Sequence, residues 1–324
     1  MEGIVAVTYR CNARCQMCHT WQYPTSINEE ITPQDVEKLP GGLSFINITG
    51  GEPFMREDIE DIIKVLLPKT KRLVISTNGY LTERIILLAR KYRQLGFRVS
   101  LEGLSKTNDA LRGLEDGFDH GLRTLLELKQ LGFRDIGFGI TVSERNAADL
   151  MDLYRMAKGI KFEFATAVLH NSYYFHKDDN MIKDKQLVIG EFQKLIAELL
   201  KSKRIKDWFR AYFNYGVINY VNGGERLLPC AAGSDLFFLD PFGEIRPCNG
   251  MKETMGNIKK ADFEDIWQSK EAISIREKVR CCTKNCWMVG TAAPAMKRNI
   301  LLPVRWIVRE KWFQKRNPSS DVSG

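Results

Sequence analysis

Thr8-Tyr9-Arg10-Cys11-Asn12-Ala13-Arg14-Cys15-Gln16-Met17-Cys18-His19 is the stretch on which the reading of this chain turns. Its three cysteines directly follow an apolar, strand-like run from Ile4 to Val7. Three thiolates so close together are soft ligands for an iron–sulfur cluster or for zinc. A structural zinc site wants a fourth ligand nearby. His19 is the adjacent candidate, but it follows Cys18 immediately and would have to fold back awkwardly. Three ligands on a four-iron cluster leave one iron open, which is a catalytic arrangement.

Cys-x3-Cys-x2-Cys after a first strand resembles the radical S-adenosylmethionine (radical SAM) superfamily. The resemblance implies a [4Fe-4S] cluster on Cys11, Cys15 and Cys18, with SAM chelating the open iron. It also implies reductive cleavage of SAM to a 5′-deoxyadenosyl radical that abstracts a substrate hydrogen. An electron donor such as flavodoxin or ferredoxin is implied with it. Met17 departs from the aromatic residue usual before the third cysteine, but methionine is apolar and adaptable.

At 324 residues the chain suits one large domain or two. A hydrophobic content of 44% permits a substantial core, and 27% charged residues argue for solubility. No apolar run approaches the roughly 20 residues of a membrane span. Cys11 lies too near Met1 for a signal peptide to precede it. Eight cysteines in two groups with metal-like spacing fit a reducing cytoplasm better than a disulfide framework. The net charge of +8 is concentrated in residues 297–316, where seven basic residues face Glu310 alone. A general nucleic-acid-binding face is therefore not expected.

Along the chain, β-rich runs alternate with helical patterns. Strands are expected at Phe45–Thr49, Leu73–Ser76, Arg98–Glu102, Ile136–Val142 and Phe162–Val168, in addition to the first. Between them, Ile59, Ile62, Ile63, Leu66 and Leu67 recur at helical spacing before Pro68. Thr82 is the expected N-cap of a helix reaching about Leu95. Leu122, Leu125, Leu126 and Leu128 line another helix, and a further one covers about Ala147 to Lys158. Six β/α units in series predict an α/β fold with a parallel sheet, too few units for a closed eight-stranded barrel. The resemblance implies a partial (β/α)6 TIM-like barrel.

Chemistry in such folds gathers at the C-terminal strand ends. Gly50-Gly51-Glu52-Pro53 follows the second strand and resembles the family segment that binds the methionyl amino group of SAM. Ser76-Thr77-Asn78-Gly79 resembles another SAM-proximal segment, with Ser76 and Asn78 as candidates. Ser100 and Glu102 fall where members place a polar residue near the ribose or carboxylate. Arg112 resembles an arginine used against the SAM carboxylate, a sensible bidentate partner. A loop-capping or surface role stays open for each of these. The polar, aromatic stretch 169–185 reads mainly as a linker, with closure over substrate as the alternative. No catalytic acid or base stands out.

Two helical segments follow, about Asp184 to Lys201 and Ile205 to Tyr220. Then come Cys230, Cys248, Cys281, Cys282 and Cys286. Leu236 to Pro247 reads as a β-hairpin that brings Cys230 and Cys248 together. The pattern resembles the SPASM/twitch extension of radical SAM enzymes and implies one auxiliary [4Fe-4S] cluster. Its ligands are taken as Cys230, Cys248, Cys282 and Cys286, with Cys281 competing with Cys282. A four-cysteine zinc site stays open.

The expected domains are a barrel core over 1–184, a helical linker over 185–229, a cluster domain over 230–292 and a basic tail over 293–324. In the tail, Pro303 suits a helix start. Val304, Ile307, Val308 and Lys311 would share one face, while Trp306 and Phe313 lie on another side. Two readings stand: a helix docked on the barrel, or a peripheral anchor on the inner face of the membrane. For function, the first reading is a radical SAM enzyme acting on a small molecule such as a sugar, cyclitol or lipid precursor. The auxiliary cluster would take part in oxidation. The second is a peptide-modifying maturase, disfavoured by the ten residues ahead of Cys11. A noncatalytic iron–sulfur or zinc protein is the third.

Overall fold

The computed structural model describes residues 1–316. In chain order it contains β1 (Glu2–Ala6), α1 (Pro33–Glu37), β2 (Phe45–Thr49), α2 (Ile59–Leu66), β3 (Leu73–Thr77), α3 (Thr82–Lys91), β4 (Gly96–Ser100), α4 (Ser105–Arg112) and α5 (Gly117–Gln130). It continues with β5 (Ile136–Val142), α6 (Leu150–Ile160), β6 (Glu163–Val168), α7 (Lys185–Lys201) and α8 (Ile205–Val221). The last elements are β7 (Leu236–Leu239), β8 (Glu244–Arg246), β9 (Gly256–Asn257), α9 (Phe263–Gln268), α10 (Lys270–Arg280), α11 (Val289–Arg298) and α12 (Leu301–Arg316).

The strands form one open sheet in the order β6-β5-β4-β3-β2-β1-β7-β8-β9. β1 to β6 pair in parallel with their sequence neighbours, as a (β/α)6 partial barrel requires. Their buried valines, isoleucines and phenylalanines pack against the covering helices. β7 extends the same parallel sheet from the free edge of β1, with Glu2 opposite Leu236. β8 and β9 then add antiparallel, so the expected hairpin is fused to the barrel sheet.

Several boundaries differ from the sequence reading. β4 runs over Gly96–Ser100, because Gly96 and Phe97 already pair with Val74 and Ile75; Glu102 therefore lies in the loop beyond it. Thr82 is the first residue of α3, not its cap, and its hydroxyl meets that of Thr124 at 2.7 Å. That helix ends at Lys91, short of Leu95.

The tail helix packs on α8. Pro303, Trp306 and Ile307 are buried. Trp306 stacks on Tyr215 of α8 at 5.0 Å and meets Tyr212 edge-on. Val304 and Val308 are exposed, so the buried side of the helix carries Trp306 and Ile307 rather than the Val304, Ile307, Val308 and Lys311 set as a whole. Aromatic contacts with α8 decide the orientation, and the local pattern contains no trace of that partner. The side chain of Phe313 lies outside the described set. Among the described residues no helix is long and apolar enough to cross a membrane.

Candidate active site

The β1–β2 pairing runs past both strand ends and builds the base of the first cysteine loop. Gly51 N donates to Thr8 O at 2.7 Å and Glu52 N to Arg10 O at 2.9 Å. Gly50 has φ +154°, and a Cβ there would stand 2.5 Å from Thr8 O. One on Gly51 would stand 2.3 Å from Arg10 O. Only glycine lets the two backbones approach this closely. Beneath them lies Glu30, a buried acid that the sequence did not single out. It accepts from Arg10, Arg56, Thr8 and Thr25, with Arg10 at 2.8 Å and Arg56 at 3.1 Å.

Glu52 is fully buried. Its carboxylate accepts from Asn78 N at 2.7 Å, Thr77 Oγ1 at 2.8 Å and Phe54 N at 3.1 Å. It thus ties the Gly-Gly turn to the exit of β3. Burial pushes its pKa up against those hydrogen bonds. Pro53 opens a short 3₁₀ turn after it. Asn78 Nδ2 reaches Asn12 Oδ1 at 2.7 Å, inside the cysteine loop. Ser76 Oγ bonds Asn47 Oδ1 across the sheet at 2.9 Å. Ser100 ends β4, half-buried.

The C-terminus of α4 holds the other side of the loop. Arg14 N donates to Arg112 O and Gln16 N to Leu111 O, both at 2.8 Å. The buried Arg112 side chain pairs with Glu102 at 3.2 Å, and Glu102 also accepts from Thr141 N at 2.6 Å. Burial disfavours the guanidinium charge, but Cys15, Glu102, Cys11 and Glu52 outweigh it and keep its pKa raised. Its Nε has no hydrogen-bond partner. A buried donor on a permanent cation is expected to meet an anionic acceptor, and a ligand carboxylate would supply one. Burial pushes the Cys11 thiol up to about 12 and raises Cys15 and Cys18 as well. Among the smaller causes, Cys15 also raises Cys11, and Cys18 raises Cys15.

The second cysteine group surrounds a single cavity lined by Cys230, Cys248, Cys282 and Cys286, together with Asn171 and Met288. Cys281 and Cys282 are both exposed, but only Cys282 lines the cavity. Cys248 is buried, and that burial pushes its thiol up to about 12. Arg226, which drew no attention in the sequence, donates to the Cys286 carbonyl and stands 3.5 Å from its sulfur. Among the described residues no three or more Cys, His, Asp or Glu side chains converge tightly enough to hold one ion. Zinc would draw its sulfurs to about 2.3 Å from a single point. Four cysteines around one cavity could hold a zinc ion or a cluster that takes one thiolate per iron.

Two further groups at the C-terminal strand ends carry a buried polar atom without a partner: Glu144 Oε2 and His170 Nε2. Each lies two residues beyond the paired Val142 and Val168. His170 Nδ1 is 2.8 Å from Val168 O, so it carries the proton and leaves Nε2 as an acceptor. Asn180 Nδ2 binds both His170 O at 2.9 Å and Met17 O at 3.0 Å. The part from His170 to Asn180 therefore bridges the two cysteine groups and is more than a linker, while Met181 to Lys185 are mostly exposed.

A parallel (β/α)6 sheet with a three-cysteine loop at its C-terminal end defines the radical SAM class. The radical SAM superfamily model matches residues 5–157, and an iron-sulfur cluster-binding domain model, SPASM, matches residues 230–287. The chain belongs to this superfamily and is an enzyme of it, using a [4Fe-4S] cluster, SAM and auxiliary iron–sulfur binding. It is 31% identical to the Fe-coproporphyrin III synthase of Methanosarcina barkeri over 46% of this chain and 38% of that protein. The pre-heme d1 synthase of Dinoroseobacter shibae is 23% identical, over 86% of this chain and 76% of its own. The subtilosin biosynthesis protein AlbA of Bacillus subtilis is 24% identical over 83% and 60%. The chain thus spans well under half of the first relative and about three quarters of the second. In fold it resembles native anSMEcpe with bound AdoMet, at TM-score 0.64 and 15% identity over 96% of this chain and 98% of that one.

Proposed function

We propose that the enzyme abstracts hydrogen from a small organic molecule, and that the second cysteine group takes part in its oxidation. The observation that carries this reading is the wedge 170–180, bonded to the first cysteine loop through Asn180 and forming the wall of the second cavity through Asn171. Cys11, Cys15 and Cys18 would hold the core cluster; Cys230, Cys248, Cys282 and Cys286 would hold the auxiliary one. When bound and reduced, the core cluster supplies the electron that splits SAM into methionine and a hydrogen-abstracting 5′-deoxyadenosyl radical. Arg112 would orient the SAM carboxylate through its unpartnered Nε–H, with Glu102 fixing the guanidinium plane. Gly50 and Gly51 let the turn lie close against the Thr8–Arg10 backbone, and Asn78 couples that turn to the cysteine loop. Glu144 Oε2 and His170 Nε2 are acceptors placed to take a substrate hydroxyl or N–H proton.

Deuterium transfer tests the reading. Deuterated polyols, porphyrinogens and peptides are offered to the anaerobically reconstituted enzyme with SAM and reductant. Label appearing in 5′-deoxyadenosine from a small molecule supports it; label from peptides alone replaces it with a peptide maturase. AlbA, similar over most of this chain, supports that second reading.

The tail supports a proposal of peripheral membrane contact. Opposite its buried Trp306 face, α12 exposes Leu301 (80%), Val308 (62%) and Trp312 (56%), flanked by Arg305 and Arg309. An apolar stripe with tryptophan and arginine suits an anionic interface. Flotation with anionic vesicles that weakens with salt and is lost in Val308→Asp tests it; no flotation at low salt removes it.

A further inference from the structure

Tyr174 sits where three functional stretches meet. Its backbone N–H donates to Asn249 O at 3.1 Å, one residue past Cys248. Its carbonyl accepts from the Thr20 hydroxyl at 3.0 Å, and that hydroxyl lies 3.1 Å from the Cys18 sulfur. Its phenol donates to the carbonyl of Gly50. Neighbours reinforce two of these links: Ser172 Oγ donates to Asn249 O at 2.7 Å, and His19 N to Phe175 O at 2.8 Å. The ring is buried against Tyr9 and Phe238, with centroids 5.9 and 5.2 Å away. A residue that bonds three distant stretches and packs on aromatic rings fixes their relative positions.

We infer that Tyr174 is a positioning residue, aligning the Gly-Gly turn and the first cysteine loop with each other and with the turn after Cys248. Gly50 adopts a backbone conformation that other residues rarely reach, so its peptide plane is set by what bonds it. The phenol is such a bond. SAM held by the Gly50-Gly51-Glu52-Pro53 turn would therefore be aligned by Tyr174, while Ser172 and the Tyr174 peptide govern the auxiliary side. The alignment of SAM rests on assigning that turn to SAM binding.

The test uses the anaerobically reconstituted full chain, with iron content, SAM affinity and the EPR spectra of both reduced clusters as readouts. Tyr174→Phe keeps the ring and removes only the phenol. It is expected to retain its iron, bind SAM about tenfold more weakly and alter the SAM-bound core spectrum. Ser172→Ala is expected to change the auxiliary spectrum and leave SAM affinity within about twofold. Thr20→Val should perturb the core spectrum, and Thr20→Ser, which keeps the hydroxyl, should restore it. Wild-type SAM affinity and spectra in Tyr174→Phe overturn the positioning role if Glu52→Gln weakens SAM binding. If both variants bind SAM normally, the assignment of the turn fails, and the alignment of SAM by Tyr174 fails with it. A folding loss in Tyr174→Phe leaves the Thr20 pair to decide: equal spectra in Thr20→Val and Thr20→Ser overturn the proposal.

Discussion

The two ends of the barrel sheet treat ionisable groups in opposite ways. At the N-terminal end Asp135 accepts from Arg72 at 2.7 Å and Arg98 at 2.6 Å. Burial works against its charge, but the two guanidiniums hold its pKa well below the usual carboxylate range. Glu163, opening β6, faces Arg204, Lys206 and Arg210; burial is again outweighed, and its pKa falls to about 2. At the C-terminal end burial wins for Glu52, Glu102 and the core thiols, which are all pushed up. Of Glu30, Glu52 and Glu102, burial is outweighed only for Glu30, which Arg10 and its other partners hold low. Arg112 Nε, Glu144 Oε2 and His170 Nε2 lack partners there. Charge at the first end is satisfied within the protein and serves stability. At the second it is held in surroundings that a ligand would complete.

The strongest way to break this contrast is to remove the ligands. Changing Cys11, Cys15 and Cys18 together to Ala should remove about half the iron, the share of one of two equal clusters. Full retention of iron would contradict the two-cluster arrangement. Next, Cys248→Ala should abolish product formation yet leave slow, substrate-independent SAM cleavage largely intact, followed as 5′-deoxyadenosine. Loss of cleavage in a variant whose core cluster is fully loaded would show that the second group is not auxiliary. Arg112→Lys keeps a cation beside Glu102 but loses the planar fork. SAM affinity, read by equilibrium binding, should fall about tenfold.

The smallest effect belongs to the opposite end. The folded pKa of Glu163 lies below its ordinary value, so its contribution to stability is complete above the ordinary carboxylate range. It is lost as pH falls toward about 2. Glu163→Gln should cost about 1–2 kcal/mol after allowance for solvent screening, and leave SAM binding unchanged. The difference in melting temperature from wild type should be constant between about pH 6 and 8 and shrink below about pH 4.5. A cost that grows on acidification would contradict the ion-pair explanation.

Much of this contrast was legible in the sequence, for a physical reason. Cys11, Cys15 and Cys18 lie within one loop, and the Gly-Gly turn directly follows a strand, so local spacing carries their meaning. The order of the six strands followed from hydrophobic runs with helices between them. Arg226 and Glu30 could not be found that way, because tertiary packing alone brings them to Cys286 and Arg10. Cys281 and Cys282 are adjacent in sequence, and only the cavity separates them. Tyr174 looked like part of a linker because its three partners lie far away along the chain. The partner of Trp306 was hidden for the same reason: Tyr212 and Tyr215 lie far away along the chain.

The pairing of β7 with β1 has a consequence for how the molecule is made. Glu2 and Leu236 are partners separated by more than two hundred residues. At about 5–20 residues per second, β1 leaves the ribosome tens of seconds before its neighbour exists. Throughout that interval an apolar strand edge stays open to misassociation, and the adjoining Cys11 loop lacks the wall later supplied by the hairpin and Tyr174. The first strand therefore gains its outer partner only once β7 has been made. Iron delivered to a nascent chain would meet a half-built vessel, and synthesis halted before Leu239 would leave the first strand without its outer partner.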